Sequence, residues 1–403
     1  MGINEKGIGM YLFLEVVAMF IFYSLFAFSI LVSILGIINL IFIKKPIIYH
    51  QNNSDALVSV LIPARNEEIN IKRCLYSLID QSYKNLEIIV LDDDSDDQTY
   101  DVVKNISKNY ESIKLVKGEA KTIGWTGKNW ACNQLSKYAN GDFLLFVDAD
   151  TKLQKNTIAE TVNEMNNNDI DLISLFPNRI TNTVIDKIIS VTIGWFIFSC
   201  LPIIFSNKNP IFSSAFGQFL LFRKGAYFSI GGHESIKDKI LDDFELGRLI
   251  TKKGYNLNVL DGTERISTFS YSTEKEALEG LSKSIFPFFN NKLIPFLILL
   301  ILFLSMGLMP IFIMMGEFFG SKLTKSKEMI AYFIWGLLTL SWAISSYRSK
   351  QGLRYGILYP FITTLTAIVG IFSIITFLTK TVNWKNRNII QEDTIEENFQ
   401  KND

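Results

Sequence analysis

A doubly wound α/β domain with a mostly parallel sheet, joined to about four membrane-spanning helices, is what the sequence predicts. Three observations carry that expectation. Short aliphatic runs alternate with helix-length stretches from Leu57 to Leu260, the pattern of βαβ units. Three of the runs end in acidic or amide residues, at Pro63-Ala-Arg-Asn-Glu67, at Asp92-Asp93 and at Asp148-Ala-Asp150, where the carboxyl ends of parallel strands hold ligands. Apolar runs of bilayer-crossing length crowd both ends of the chain.

The first 45 residues read as a membrane anchor. Met10 to Ile43 is almost wholly apolar apart from Glu15, and Ala18 to Ile41 exceeds the ~20 residues a helix needs to span. A cleaved signal peptide is the rival reading; the run is long for one, with no basic stretch before it beyond Lys6 and no clear small-residue cleavage site. Lys44 and Lys45, directly after the span, favour a cytoplasmic position for the domain beyond them.

Residues 46–292 form the expected soluble domain. Strands are expected at Leu57–Ile62, Leu86–Leu91, Ser112–Val116, Phe143–Val147, Asp171–Phe176, Gln218–Arg223 and Asn256–Leu260. Helices are expected at Glu68–Asp80, Asp97–Lys108, Lys128–Ala139, Thr157–Asn166 and Asp242–Lys253, the last closed by Gly254 as a C-cap. The aromatic segment 191–205, broken by Pro202, is short for a span. It either buries its apolar face in the core or lies on the bilayer surface.

Three more spans are expected within 293–380, at Leu293–Met315, Met329–Tyr347 and Ile357–Leu378, then a polar tail over 381–403, disordered from 389. Arg348, Lys350 and Arg354 agree with a cytoplasmic domain two spans earlier. Lys380, Lys385 and Arg387 fall on the opposite side and against the positive-inside rule, which leaves the side of the tail open.

Lys plus Arg (40) equals Asp plus Glu (40), so no basic excess points to nucleic acid. Cys74, Cys132 and Cys200 show no paired spacing, which indicates neither a disulfide framework nor a cysteine zinc site.

The chemistry gathers at the strand ends. Asp148 and Asp150 supply hard oxygen ligands for Mg²⁺ or Mn²⁺, although aspartates also serve as turn and N-cap residues. Asp92 to Asp97 places five carboxylates in six residues, a density that repels itself unless cations or donors approach. Asp92 or Asp93 suits a base N–H or ribose hydroxyl, and Glu67 a ribose, each against a capping role. Lys128 opens a helix after Gly127, where a cation beside free N–H groups suits a phosphate oxygen; a surface lysine is the plainer reading. Asp242 and Asp243 open another helix, and acidic residues favour that position in any protein. In the functional reading Asp243 is a general base. His233 is a ligand, an acceptor contact or a structural histidine.

Taken as a set, Ile62-Pro-Ala-Arg-Asn-Glu67, Asp92 to Thr99, Asp148-Ala-Asp150 and Asp242-Asp243 resemble the family 2 glycosyltransferases of the GT-A fold. Gly124 to Ala131, Gly231-Gly-His233 and Tyr271 to Lys283 look more specifically like membrane-bound carotenoid glycosyltransferases, of the chlorobactene and diaponeurosporenoate types, and hopanoid-associated ones. Asp242 stands where that family usually has glutamate, and the QxxRW motif of processive synthases is missing. The resemblance implies a nucleotide sugar donor, UDP-glucose foremost, held by Pro63, Arg65, Glu67, Asp92, Asp93, Lys128, Asp148 and Asp242. It also implies Mg²⁺ or Mn²⁺ on Asp148 and Asp150, and Asp243 as catalytic base. The implied reaction is inverting transfer of one hexose, glucose by expectation, to a lipid such as a carotenoid, by a multi-pass protein of the cell membrane. The rivals are transfer to polyprenyl phosphate or a surface polysaccharide, and an inactive membrane scaffold.

Overall fold

The computed structural model describes residues 5–46, 55–206, 209–269, 271, 273–289, 292–318, 325–379, 383–384 and 387–388. Lys380, Lys385 and the expected tail beyond 388 lie outside the described residues. The chain forms two compact units. One gathers Met1–Ile41, Ile188–Leu201 and Phe289–Ile374; the other gathers Phe42–Lys187, Pro202–Phe288 and Ile375–Asp403.

The second unit is built on a seven-stranded sheet. In chain order its strands and helices are β1 (Val58–Ala64), α2 (Ile71–Ile79), β2 (Leu86–Asp92), α3 (Thr99–Ser107), β3 (Ile113–Lys117), α4 (Gly127–Tyr138) and β4 (Phe143–Phe146), after the long helix α1 (Glu5–Phe42). Then come β5 (Thr151–Leu153), α5 (Thr157–Asn167), β6 (Leu172–Phe176), β7 (Asn178–Ile180), α6 (Val184–Trp195), which passes into the other unit from Ile188, β8 (Leu220–Arg223), α7 (Lys224–Ser229), α8 (Asp242–Lys252), β9 (Leu257–Asp261), β10 (Ile266–Phe269) and α9 (Glu274–Phe288). The large sheet runs β3-β2-β1-β4-β8-β6-β9. β8 lies antiparallel to both β4 and β6, and the other pairings are parallel. A three-stranded sheet, β5-β10-β7, stands beside it in the same unit.

Burial explains why these runs are strands. Val58, Val60, Leu61 and Ile62 are fully enclosed, because central strands of a doubly wound sheet are covered on both faces and read as continuous aliphatic runs. α2 packs Ile71, Cys74, Leu75 and Leu78 into the same core, the three-and-four spacing of one helix face. Register then places the chemistry: Ala64 pairs with Asp92, so β1 and β2 end together, and β4 ends on the same edge with Phe146 opposite Leu61. β8 enters antiparallel with Leu220 opposite Phe146, which brings the residues just before it to that edge too.

The helical unit holds α1, α10 (Leu293–Phe318), α11 (Lys325–Arg348) and α12 (Tyr355–Leu378). A short pair, β11 (Asn383–Trp384) and β12 (Arg387–Asn388), comes after them in the chain. Among the described residues four helices are long and apolar enough to cross a membrane: Glu15–Phe42, Leu293–Met315, Lys325–Arg348 and Tyr355–Leu378.

The aromatic segment 191–205 does not behave as one piece. Through Leu201 it packs among the apolar helices, and from Pro202 it belongs to the sheet-containing unit. The Trp195 ring stacks on Trp342 with centroids 4.8 Å apart, and its indole N–H donates to Ser341 Oγ at 2.9 Å. Ser199 and Ser345 share a hydrogen bond of 2.7 Å. A π-helical turn over Phe196–Cys200 breaks the backbone ladder, and Asn39 Nδ2 donates to the carbonyls of Phe198 (2.9 Å) and Leu201 (2.7 Å). In an apolar setting carbonyls freed by such a break need a donor from the protein.

Candidate active site

Two loops at the shared strand edge are laced together. Asp93 N–H donates to the Ala64 carbonyl at 2.8 Å, Asn66 N–H to Ser95 Oγ at 3.0 Å, Glu67 N–H to Thr99 Oγ1 at 2.7 Å and Asp96 N–H to Asn66 Oδ1 at 2.8 Å. Arg65 crosses the acidic loop: its Nη1 donates to the Asp93 carbonyl at 2.6 Å, and its guanidinium lies 4.0 Å from Asp94 and 3.8 Å from Asp96. Arg65 thus relieves part of the loop's self-repulsion, at Asp94 and Asp96.

Pro63 lies inside β1 opposite Leu91, so the strand runs two residues past its expected end. Glu67 takes part in starting α2. Its carbonyl accepts from the N–H groups of Asn70 and Ile71, and its carboxylate from Asn70 Nδ2. Asp92 differs from its neighbours: it is 3% exposed, its Oδ2 meets only a long contact from Ser95 N–H (3.4 Å), and its buried Oδ1 has no partner. A buried carboxylate oxygen without a donor is costly, and an N–H or O–H from a ligand would satisfy it.

A second cluster forms where β4, α4 and α8 meet. Thr126 caps α4, accepting from Asn129 N–H at 3.3 Å, and the first turn carries Lys128. Its ammonium bridges Asp148 Oδ1 at 3.0 Å and Asp242 Oδ2 at 3.2 Å. Burial works against that charge most strongly, yet Asp148 and Asp242 together hold Lys128 well above the ordinary lysine range. Burial and then the neighbouring charge of Asp242 push Asp243 up to about 7, against the opposing pull of Lys128 and two backbone N–H groups. Those donors are Gly217, at 2.9 Å from Asp243 Oδ2, and Phe244, at 2.9 Å from Oδ1. A carboxyl group poised near neutrality is matched to proton transfer at physiological pH.

Gly217 carries no motif that marks it in the sequence. A Cβ there would stand 3.1 Å from Lys128 Nζ and 3.4 Å from Asp243 Oδ2, so the missing side chain is what lets these charged groups approach. Asn129 is equally unmarked. Fully buried, it donates through Nδ2 toward the carbonyls of Ile236 (2.7 Å), Lys237 (3.3 Å) and Lys239 (2.9 Å), tying the start of α4 to the segment leading into α8. Asn129→Ala should therefore destabilise the protein by about 1–3 kcal/mol and lower turnover by loosening the spacing of Lys128 and Asp242. Thermal unfolding and steady-state kinetics of the purified variant check this; wild-type values in both would refute the tie.

His233 is 1% exposed, packs 4.8 Å from the Phe146 ring and shares a 2.8 Å hydrogen bond with Tyr227 through Nδ1. The backbone N–H of His233 donates to the same hydroxyl at 3.2 Å. Burial lowers its pKa to about 4, so the ring is neutral at physiological pH. Of its possible roles the structural one has direct contacts behind it.

Asp148 and Asp150 follow closely after β4 and are the carboxylates that would hold a divalent cation. Burial first, then the charges of Asp150, Glu67 and Asp148, push the Cys74 thiol well up. Among the described residues no three acidic, histidine or cysteine groups close into a complete ligand set. Mg²⁺ in particular is commonly bound by one or two carboxylates with substrate phosphates and water completing its shell, and Asp148 with Asp150 fits that description.

A family model described as "Glycosyl transferase family 2" matches residues 59–228. A 4,4'-diaponeurosporenoate glycosyltransferase of Staphylococcus aureus (strain USA300) is 28% identical over 242 residues, covering 58% of this chain and 62% of that protein. The corresponding protein of strain bovine RF122 is 29% identical over 236 residues, covering 57% and 60%. The match thus spans about three fifths of the length of these curated relatives. Among solved structures, a mannosyltransferase from Pyrobaculum calidifontis in complex with GDP-Man and Mn²⁺ superimposes with a TM-score of 0.56 at 15% identity, covering 91% of this chain and 99% of that one. At that identity the likeness concerns the fold, which is GT-A-like.

Proposed function

We propose, from the premise that residues 59–228 are a family 2 glycosyltransferase domain, that the protein moves a single hexose from a nucleotide sugar to a membrane lipid. The observation that carries this reading is the cluster of Lys128, Asp148, Asp242 and Asp243, with Asp243 held near pH 7, at the edge where Asp92 presents a buried, unpartnered oxygen. Asp92 accepts from the nucleoside of the donor. Mg²⁺ or Mn²⁺ on Asp148 and Asp150 would balance the charge of the diphosphate.

Asp243 takes the proton of the acceptor hydroxyl as that oxygen bonds to the anomeric carbon. The bond from that carbon to the diphosphate breaks on the opposite side, so the product is inverted and a nucleoside diphosphate leaves. Lys128, between Asp148 and Asp242, offers its ammonium to the charge that develops on the leaving group.

The four candidate spans favour an acceptor that stays in the bilayer, and the names of the Staphylococcus relatives favour a carotenoid. Glucose from UDP-glucose is the donor we favour. Lys44 and Lys45 after the first span favour a cytoplasmic catalytic domain in the cell membrane.

Purified full-length protein given UDP-glucose and lipid extract should form a glycolipid, and Asp150→Asn should cut that rate by about 10²-fold or more. Asp243→Asn serves as the companion variant. Wild-type rates in both would sink the site. Product on polyprenyl phosphate or polysaccharide would redirect the acceptor, and no turnover with any acceptor would leave a membrane scaffold.

A further inference from the structure

A cavity of about 620 Å³ opens on the outer side of α2, lined by that helix and the segment 152–155. It shares no lining residue with the Lys128 cluster. Four cations line it: Lys72 and Arg73 from α2, Lys152 from β5 and Lys155 just beyond. Asp80 is the one carboxylate on its wall. None of the three lysines has an ion pair with a carboxylate among the described residues. Arg73 lays its guanidinium 3.5 Å from the centre of the Phe269 ring, and its buried Nη1 has no hydrogen-bond partner.

The arrangement is rigid. Ser77 Oγ accepts from Leu153 N–H at 3.1 Å, Gln81 Nε2 donates to the Gln154 carbonyl at 2.8 Å, and Ser82 N–H donates to the Lys155 carbonyl at 2.8 Å. These bonds fix the segment 152–155, which carries Lys152 and Lys155, to α2 and the two residues after its C-cap Asp80. Like charges gathered on a fixed frame repel one another, and an anion entering between them removes that cost. The lining also includes two exposed apolar side chains, Ile69 (66% exposed) and Tyr76 (45% exposed). Cations interleaved with exposed apolar groups match a lipid, whose phosphate meets the lysines while its glycerol and upper chain meet Ile69 and Tyr76. A free phosphate ion has no use for the apolar pair.

We propose that this cavity binds the phosphate headgroup of an anionic phospholipid. The site is separate from donor and acceptor and does not depend on the transfer reaction. Its geometry reaches toward the metal loop: Phe269, under Arg73, donates its N–H to the Asp150 carbonyl at 3.1 Å.

The test uses the full-length protein in detergent, titrated with phosphatidylglycerol or with phosphatidylcholine of the same chains, lipid adducts being counted by native mass spectrometry. Wild type should prefer phosphatidylglycerol. Joint Lys72→Ala, Lys152→Ala and Lys155→Ala should weaken that binding by about 10- to 100-fold. An equal charge loss on another face, Lys104→Ala with Lys108→Ala and Lys114→Ala, should leave it unchanged. Should the triple variant unfold at a lower temperature than wild type, the single reversals Lys72→Glu and Lys152→Glu at exposed positions carry the same comparison. Equal phosphatidylglycerol binding by both triple variants overturns the proposal. So does displacement of the bound lipid by millimolar inorganic phosphate with no dependence on Ile69→Ser or Tyr76→Ser, which would identify a free-phosphate site.

Discussion

Asp243→Asn should lower kcat by about 10²–10⁴-fold with a hydroxyl-bearing lipid acceptor while leaving the KM for the sugar nucleotide within a few-fold of wild type. The change keeps the size of the side chain and one of the two backbone bonds, from Gly217 or Phe244, but removes the oxygen that takes the proton. Because the Asp243 carboxyl titrates at about 7, above its ordinary range, the base form is lost as pH falls through that value. Wild-type kcat should therefore drop about tenfold per pH unit below 7 and level off above it. The variant should show no such limb. An acceptor carrying a carboxylic acid is already ionised at neutral pH and has no proton to give, so with it the loss should be small. A full loss of rate with both acceptor types, or retention of the limb in the variant, would contradict the assignment of Asp243 as base.

The parts of this architecture that are legible in the sequence share one property, a local signal. Val58–Ile62 (broken only by the buried Ser59), Ile88–Leu91 and Phe143–Val147 are apolar runs because both faces of those strands are buried; the second and third lead at once into aspartates, and the first reaches Asn66 and Glu67 after Pro63-Ala-Arg65. Asp242-Asp243 is readable as the acidic first turn of α8, and Gly254 as its cap, observed with φ of +86°. The elements that escape a sequence reading have no local signature. β5, β7 and β10 are three or four residues long, too short for alternation to register, and they exist because they pair with one another. Gly217 matters through a residue 26 positions away, and Asn129 through carbonyls 107 to 110 positions away. The segment 191–205 is ambiguous for a different reason. Its apolarity suits a core, a membrane surface or a helical bundle equally, and only the partners Ser341, Trp342 and Ser345 decide among them.

Lys128→Met should be nearly as damaging as loss of the base, and it carries a signature that separates electrostatics from collapse. The ammonium neutralises Asp148 and Asp242 directly and lowers the pKa of Asp243. Methionine fills similar volume without charge, leaving three neighbouring carboxylates that have no other ion-pair partner among the described residues. The one lost charge has two consequences. Turnover should fall by about 10²–10³-fold, the usual loss when a fixed group facing developing charge is removed. The acid limb of the pH profile should also move to higher pH, because Asp243 then holds its proton more tightly in the field of Asp242. Lys128→Arg keeps the charge and should hold the limb near 7, even where the bulkier guanidinium beside Gly217 reduces the rate. A variant that merely unfolds loses activity at every pH alike. A methionine variant whose limb stays at wild-type pH would therefore rule out Lys128 as the counter-charge that sets Asp243.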